Sequence, residues 1–297
     1  MQFIYYVINI INMNFTNLRK QLENGKIKPL RKLQGGMMNK SYIIELDGKK
    51  YVWYTPTEQA NEMVDRKLEK SNIDKVYPLG ITSKNLAFYE DGMKINEFIE
   101  GSSINLIEDF DTKKVAKMLH KLHDSGVLSD KDYLPFEKVE NYIKEVSSLN
   151  IKLDEDFFIL YKDINNKRAF LESQKLTICH NDFQRSNIIK SLDDKYYMID
   201  FEFMMNNDPI FDIAAFGNND VKEGYQLLKD YFENIDNDIK TRFFYWRMLL
   251  SLQWYLVALI KDKRGEGKEH GFDFYQVAQF FLNNAKTAKE LYLKEIN

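Results

Sequence analysis

The stretch His180-Asn181-Asp182-Phe183-Gln184-Arg185-Ser186-Asn187, followed by Ile199-Asp200-Phe201-Glu202, holds the side chains best suited to chemistry. Asp182 and Asn187 stand five residues apart, and Asp200 follows the apolar run Tyr196-Tyr197-Met198-Ile199. Transfer of a phosphoryl group from ATP needs a carboxylate to orient the acceptor hydroxyl. It also needs oxygen ligands that hold Mg²⁺ on the phosphates. Asp182 suits the first task, and Asn187 and Asp200 suit the second. A lone loop carboxylate is more often a solvated group or a helix cap. The whole pattern at this spacing points to phosphotransferase chemistry.

The neighbouring residues read as support. His180 could serve as a base, but Asp182 is better placed, so His180 is expected to hold the loop by hydrogen bonds. Asp208 precedes Pro209, and Asp212 opens an apolar run, as a buried organiser or a helix cap would. Gly35-Gly36 lies between two β-rich segments, where backbone amides can approach phosphate oxygens because no Cβ intervenes. Asn39, Lys40 and Ser41 could add donors there. Cys179 ends an apolar run and reads as a small core residue.

The elements that must position these residues follow from periodicity. Lys28 to Gln34, Ser41 to Leu46 and Lys49 to Tyr54 read as strands, with a hairpin turn at Asp47-Gly48. Glu58 to Ser71 has helical spacing, and Leu86 to Tyr89 with Lys94 to Ile99 form a second strand pair. From Gly101 the pattern turns helical, over Lys114–His123, Phe136–Leu149 and Phe157–Leu171. A short β section from Leu176 to Asp200 carries the polar kit, with a turn at Asp194-Lys195, and helices follow from Phe211. The expected class is α+β, with a small β-rich N-lobe over 14–100 and a larger helical C-lobe over 101–297.

Composition narrows the alternatives. The 297 residues are 44% hydrophobic and 29% charged, ordinary for a globular protein. A net charge of -3 gives no reason to expect a nucleic-acid partner. One cysteine allows no internal disulfide and fits a reducing, cytoplasmic compartment. Residues 1–13 are apolar but too short to span a bilayer, and no basic residue precedes the run, so no stable membrane insertion is expected. They read as an extra segment ahead of a true start at Met13, or as a short element on the first lobe. The oligomeric state is not legible.

At these residues the chain resembles the choline and ethanolamine kinases, bacterial choline kinases above all, within the aminoglycoside phosphotransferase and protein kinase-like group. Leu33 to Tyr42 resembles the family's nucleotide loop, and Lys94 to Glu100 its lobe hinge. Leu119 to His123 and Asn206 to Ala214 also match. The resemblance implies a two-lobed protein kinase-like fold, ATP and Mg²⁺, with Asp182 as base and Asn187 and Asp200 as metal ligands. It places Asn96, Glu97 and Ile99 at the adenine, and gives Glu202 a supporting role at the metal or substrate. Phe203, Trp254 and Tyr275 would supply aromatic faces to a cationic amino alcohol, which suits a trimethylammonium that has no N–H to donate.

Two departures stand out. Val257 replaces a second pocket tryptophan, leaving room for ethanolamine or another amino alcohol. Tyr54 takes the position of the family's phosphate-binding basic residue on the third strand, although the helix glutamate that would pair with it survives as Glu69. The expected consequence is weaker ATP binding, slower turnover, or a substitute cation such as Lys40. The competing readings are a kinase of an aminoglycoside, thiamine or a sugar, and a nucleotide-binding pseudokinase.

Overall fold

The structure is a computed structural model that describes residues 18–33, 39–267 and 273–296. The Gly35-Gly36 turn and residues 1–17 lie outside the described residues. The chain divides into two units. The first comprises residues 1–101 and 191–202, the second residues 102–190 and 203–297.

The first unit is built on an antiparallel sheet. Its strands are β1 (Arg31–Lys32), β2 (Asn39–Leu46), β3 (Lys49–Pro56), β4 (Asn85–Phe88) and β5 (Lys94–Glu97), in the order β1-β2-β3-β5-β4. Asp47 and Gly48 join β2 to β3 with φ of 50° and 75°, the doubly positive geometry expected of an Asp-Gly hairpin. Side chains alternate across the pleat, so the two faces differ in kind. On one face Ile44 and Ile95 are buried with Leu18 and Leu22 of the short helix α1 (18–23), and Trp53 and Tyr51 pack against them. The registers Ser41↔Tyr54 and Tyr54↔Lys94 put Asn39, Ser41, Tyr54, Lys94 and Asn96 on the other, polar face.

The helix expected over Glu58–Ser71 is two helices, α2 (Glu58–Met63) and α3 (Arg66–Val76). The break comes at Val64-Asp65. Val64 is extended, and the Asp65 carboxylate accepts from Leu68 N at 3.1 Å, capping a new helix. The restart aims Arg66 and Glu69, one turn apart, into the unit, where both are buried.

In the second unit α4 (Thr112–His123), α5 (Pro135–Ser148), α6 (Glu155–Asn165) and α7 (Arg168–Glu172) precede the strand β7 (Thr177–Cys179). The strand β6 (Gly101–Ser103) stands at the start of this unit, and β8 (Ile188–Ser191) leads out of it toward β9 (Tyr196–Met198) in the first. β7 pairs antiparallel with β10 (Met205–Asn207), in the register Met205↔Cys179. The helices α8 (Pro209–Phe216), α9 (Val221–Tyr231), α10 (Asn237–Arg264) and α11 (Phe274–Ile296) complete it. α10 is apolar and long enough to cross a bilayer by composition, yet 89% of its apolar window is buried, as in the core helix of a globular unit.

Candidate active site

Asp182 follows β7 in a loop held from below by Asp212 of α8. The buried Asp212 carboxylate accepts His180 N at 2.8 Å, Asn181 N at 2.7 Å and His123 Nε2 at 3.0 Å. Asn181 stands at φ 63°, a left-handed conformation that Asn tolerates, and its side chain ties the loop to the carbonyls of Phe203 and Met205. His180 is buried and its Nδ1 accepts from Asp182 N at 3.3 Å, a loop-holding contact. Asp208 caps α8 through Ile210 N and receives Trp246 Nε1 at 2.7 Å and the Arg242 guanidinium. The organising acids thus anchor the backbone.

The Asp182 carboxylate itself is half-buried and gripped from both sides. Gln184 Nε2 donates to Oδ1 at 2.5 Å, and Asn187 Nδ2 donates to Oδ2 at 3.0 Å. The Asn187 amide nitrogen also reaches the Asp182 carbonyl at 2.9 Å, which commits the nitrogen, while the amide oxygen accepts from Ser186 Oγ at 3.5 Å.

The first unit holds a second cluster. Asp200 has φ 67°, a left-handed conformation that a non-glycine residue rarely adopts. Its Oδ1 is buried without a hydrogen-bond partner among the described residues. Lys94 Nζ lies 2.5 Å from Glu69 Oε1 and 4.0 Å from Asp200 Oδ1. Arg66 Nη1 bonds Glu69 Oε2 at 2.7 Å and lies 3.7 Å from Glu202 Oε2, which accepts from Asn39 Nδ2 at 3.0 Å. Burial works to raise the Glu69 pKa, but the charges of Lys94 and Arg66 outweigh it and hold the carboxylate below its ordinary range. Burial works against charge on Lys94 as well, and Glu69, Asp200 and Glu202 outweigh it, raising the ammonium pKa. Glu202 has no such surplus. Burial first and the Asp200 charge next push it up to about 8.

The sequence profile of the choline/ethanolamine kinases matches residues 30–237, more than half of the chain. The chain belongs to the choline/ethanolamine kinase family. Protein LicA of Haemophilus influenzae is 24% identical over 259 residues, covering 78% of this chain and 73% of that protein. The crystal structure of choline kinase LicA from Streptococcus pneumoniae superposes with a TM-score of 0.69 at 22% identity, covering 93% and 98% of the two chains. A spectinomycin phosphotransferase superposes with a TM-score of 0.57 at 14% identity, covering 86% and 92%. The fold is protein kinase-like, and family membership makes the chain a small-molecule kinase.

Other expected residues of this kinase take varied settings. Phe203 is half-buried, and the Lys138 ammonium stands 3.9 Å from its ring centroid and 5.0 Å from that of Tyr133. Trp254 is half-buried and stacks on Phe281 with centroids 6.0 Å apart. Tyr275 is 51% exposed on the first turn of α11. Asn96 Oδ1 accepts from Asn85 at 2.8 Å, Glu97 is exposed, and Ile99 is half-buried. Lys40 is exposed and pairs in register with Thr55, one residue out of phase with Tyr54. It therefore lies on the opposite face of the sheet and does not substitute for a cation at position 54.

Sequence reasoning missed Lys94, Arg66, Gln184, Tyr133 and Lys138. Lys94 had no local signal, because its place opposite Tyr54 depends on the pairing of β3 with β5. Tyr133 had none either. It is buried, and burial, with the charges of Asp182 and Asp212 adding to it, raises its hydroxyl pKa.

Proposed function

We propose that this kinase transfers the γ-phosphoryl group of ATP to the hydroxyl of choline or a closely related amino alcohol. The observation that carries the reading is the Asp182 carboxylate, half-buried and held by Gln184 and Asn187 on a loop whose backbone amides Asp212 fixes. Two amide donors aim the carboxylate, as a group that orients an acceptor hydroxyl must be aimed.

Asp182 orients the acceptor hydroxyl and takes its proton as the oxygen attacks phosphorus. Asn187 and Asp200 are the residues that would hold Mg²⁺. The donors fit a hard cation, since the Asn187 amide oxygen has only a 3.5 Å contact from Ser186 Oγ and Asp200 Oδ1 is buried with no hydrogen-bond partner among the described residues. When bound, the metal would neutralise charge on the nucleotide phosphates. Asn39, Ser41 and the Gly35-Gly36 segment are assigned to ATP, with Asn96, Glu97 and Ile99 at adenine and Glu202 supporting the phosphate end, while the Lys40 side chain lies on the other face of the sheet.

The substrate assignment rests on aromatic faces. Lys138 already sets an ammonium against Phe203 and Tyr133, so these rings offer faces suited to a cation. Trp254 and Tyr275 are assigned as further contacts. A reducing, cytoplasmic setting suits both ATP and the free, buried Cys179.

The test is a radiolabelled γ-phosphate transfer screen with choline, ethanolamine, thiamine and kanamycin. Transfer to choline or ethanolamine is expected. Preferred transfer to kanamycin would move the assignment to aminoglycosides, and metal-dependent ATP binding without transfer to any acceptor would mark a pseudokinase.

A further inference from the structure

Lys94 is the residue whose setting the fold leaves unexplained. An ammonium on a four-carbon stem is almost fully buried, 2% exposed, at the first residue of β5. Burial of such a charge is costly unless it is paired and hydrogen-bonded. Lys94 has three N–H donors but, among the described residues, hydrogen-bonds only Glu69. The Tyr54 ring, 5.1 Å away, covers one side of it. The nearest other carboxylate, Asp200, stands at 4.0 Å, beyond hydrogen-bonding range.

The register explains how the charge reaches this place. Tyr54 and Lys94 are directly opposed on neighbouring antiparallel strands. Opposed residues project from the same face of a sheet, and the strands lie about 4.7–4.9 Å apart. A lysine on β5 therefore presents its ammonium to the face that residue 54 occupies. Glu69 reaches it from α3 with one oxygen and is braced by Arg66 on the other. Arg66 spends Nε on Asn61 at 3.0 Å and Nη1 on Glu69, while its Nη2 is buried with no hydrogen-bond partner among the described residues. Lys94 is the cation directly opposite position 54, with two of its three donors unspent among the described residues.

We infer that Lys94 is the phosphate-binding cation of this kinase, transferred one strand across the sheet from position 54, with Glu69 as its positioning residue. The inference rests on the phosphotransfer reading above. Lys94 gives charge-assisted hydrogen bonds to the phosphate oxygens of the nucleotide, Glu69 fixes the ammonium in place, and Tyr54 serves as an apolar wall. Tyr54 is suited to that role, because burial pushes its hydroxyl pKa up to about 12 and keeps it neutral.

The experiment compares wild type, Lys94→Met, Lys94→Arg and the double variant Tyr54→Lys/Lys94→Met. Steady-state kinetics for ATP, ADP binding by calorimetry and circular dichroism are measured on each. Lys94→Met should lower kcat/KM for ATP by about 10²–10³-fold, as loss of one preorganised charge-stabilising donor does. It should weaken ADP binding and leave the KM for the alcohol within a few-fold. Lys94→Arg and the double variant should each recover part of the loss, since both restore a cation beside Glu69. A folded Lys94→Met that works within a few-fold of wild type overturns the inference while leaving the phosphotransfer reading intact. If Lys94→Met does not fold, the double variant decides: folded and active supports the relocation, folded and inactive overturns it. Wild type that binds no ATP overturns the reading beneath and this inference with it.

Discussion

At the scale of single residues, a carboxylate proposed to take a proton from a bound hydroxyl has to be aimed. Asp182 is aimed by two amide donors, Gln184 and Asn187, which hold its oxygens without carrying charge. Asp182→Asn keeps the shape and removes the base. Its kcat should fall by about 10²–10⁴-fold with an unchanged far-ultraviolet spectrum and melting temperature. Full turnover in that variant would dismiss Asp182 as base. Lys138 bears on specificity in the opposite direction. Its ammonium occupies the faces of Phe203 and Tyr133, so a cationic substrate using those rings must displace it. Lys138→Ala should lower the KM for the amino alcohol by about two- to fivefold, the equivalent of roughly 0.5–1 kcal/mol for an exposed cation–π contact. A raised KM would mean that the lysine helps substrate binding instead.

At the scale of elements, legibility followed sequence distance. The Asp47-Gly48 hairpin was readable because its whole cause lies in two adjacent residues. The break between α2 and α3 was also local, written in the capping Asp65, but helical periodicity ran through it and hid it. The role of Lys94 was not readable, because it depends on which strand lies beside β3, a pairing across 40 residues (Tyr54↔Lys94). Asp212 was recognisable as an organiser, but not its acceptance of two amides some thirty residues away. The turn at Gly92 shows how an element terminus supports the polar cluster. Gly92 has φ 82°, and a Cβ there would come within 2.3 Å of Arg66 Nε. Gly92→Ala therefore combines backbone strain of about 1–2 kcal/mol with displacement of the guanidinium that braces Glu69. Gly25, at φ 69°, has nothing within 4 Å of the same added carbon. In urea titrations Gly92→Ala should lose more stability than Gly25→Ala and should alone raise the KM for ATP. Equal losses and an unchanged KM would show that Arg66 does not brace the cluster.

At the scale of the whole molecule, the chain passes between its two units three times, at 101–102, 190–191 and 202–203. Asn187 belongs to the second unit and Asp200 to the first, and each unit keeps its own residue in shape. In the second unit that task falls to the layer of β7, β10 and α8, and Cys179 reports on it. The thiol is buried at the end of β7, with Sγ 3.4 Å from the Asn207 carbonyl, next to the loop that carries Asp182. Burial, reinforced by the charges of Asp212 and Asp208, raises its pKa well above the ordinary thiol value. The thiolate is the reactive form, so the folded protein should be inert to a disulfide reagent at neutral pH. Labelling must wait for an opening that parts β7 from β10 and α8. Asp212→Asn replaces an acceptor of backbone hydrogen bonds with an amide that can satisfy only part of the set, and it removes the charge facing His123. Labelling of Cys179 should then speed up markedly, and in both proteins kinase activity should decay with the same time course as the thiol is consumed. Rapid labelling of the wild type without loss of activity would show that this layer opens independently of the loop above it, and that Asp212 does not hold the two together.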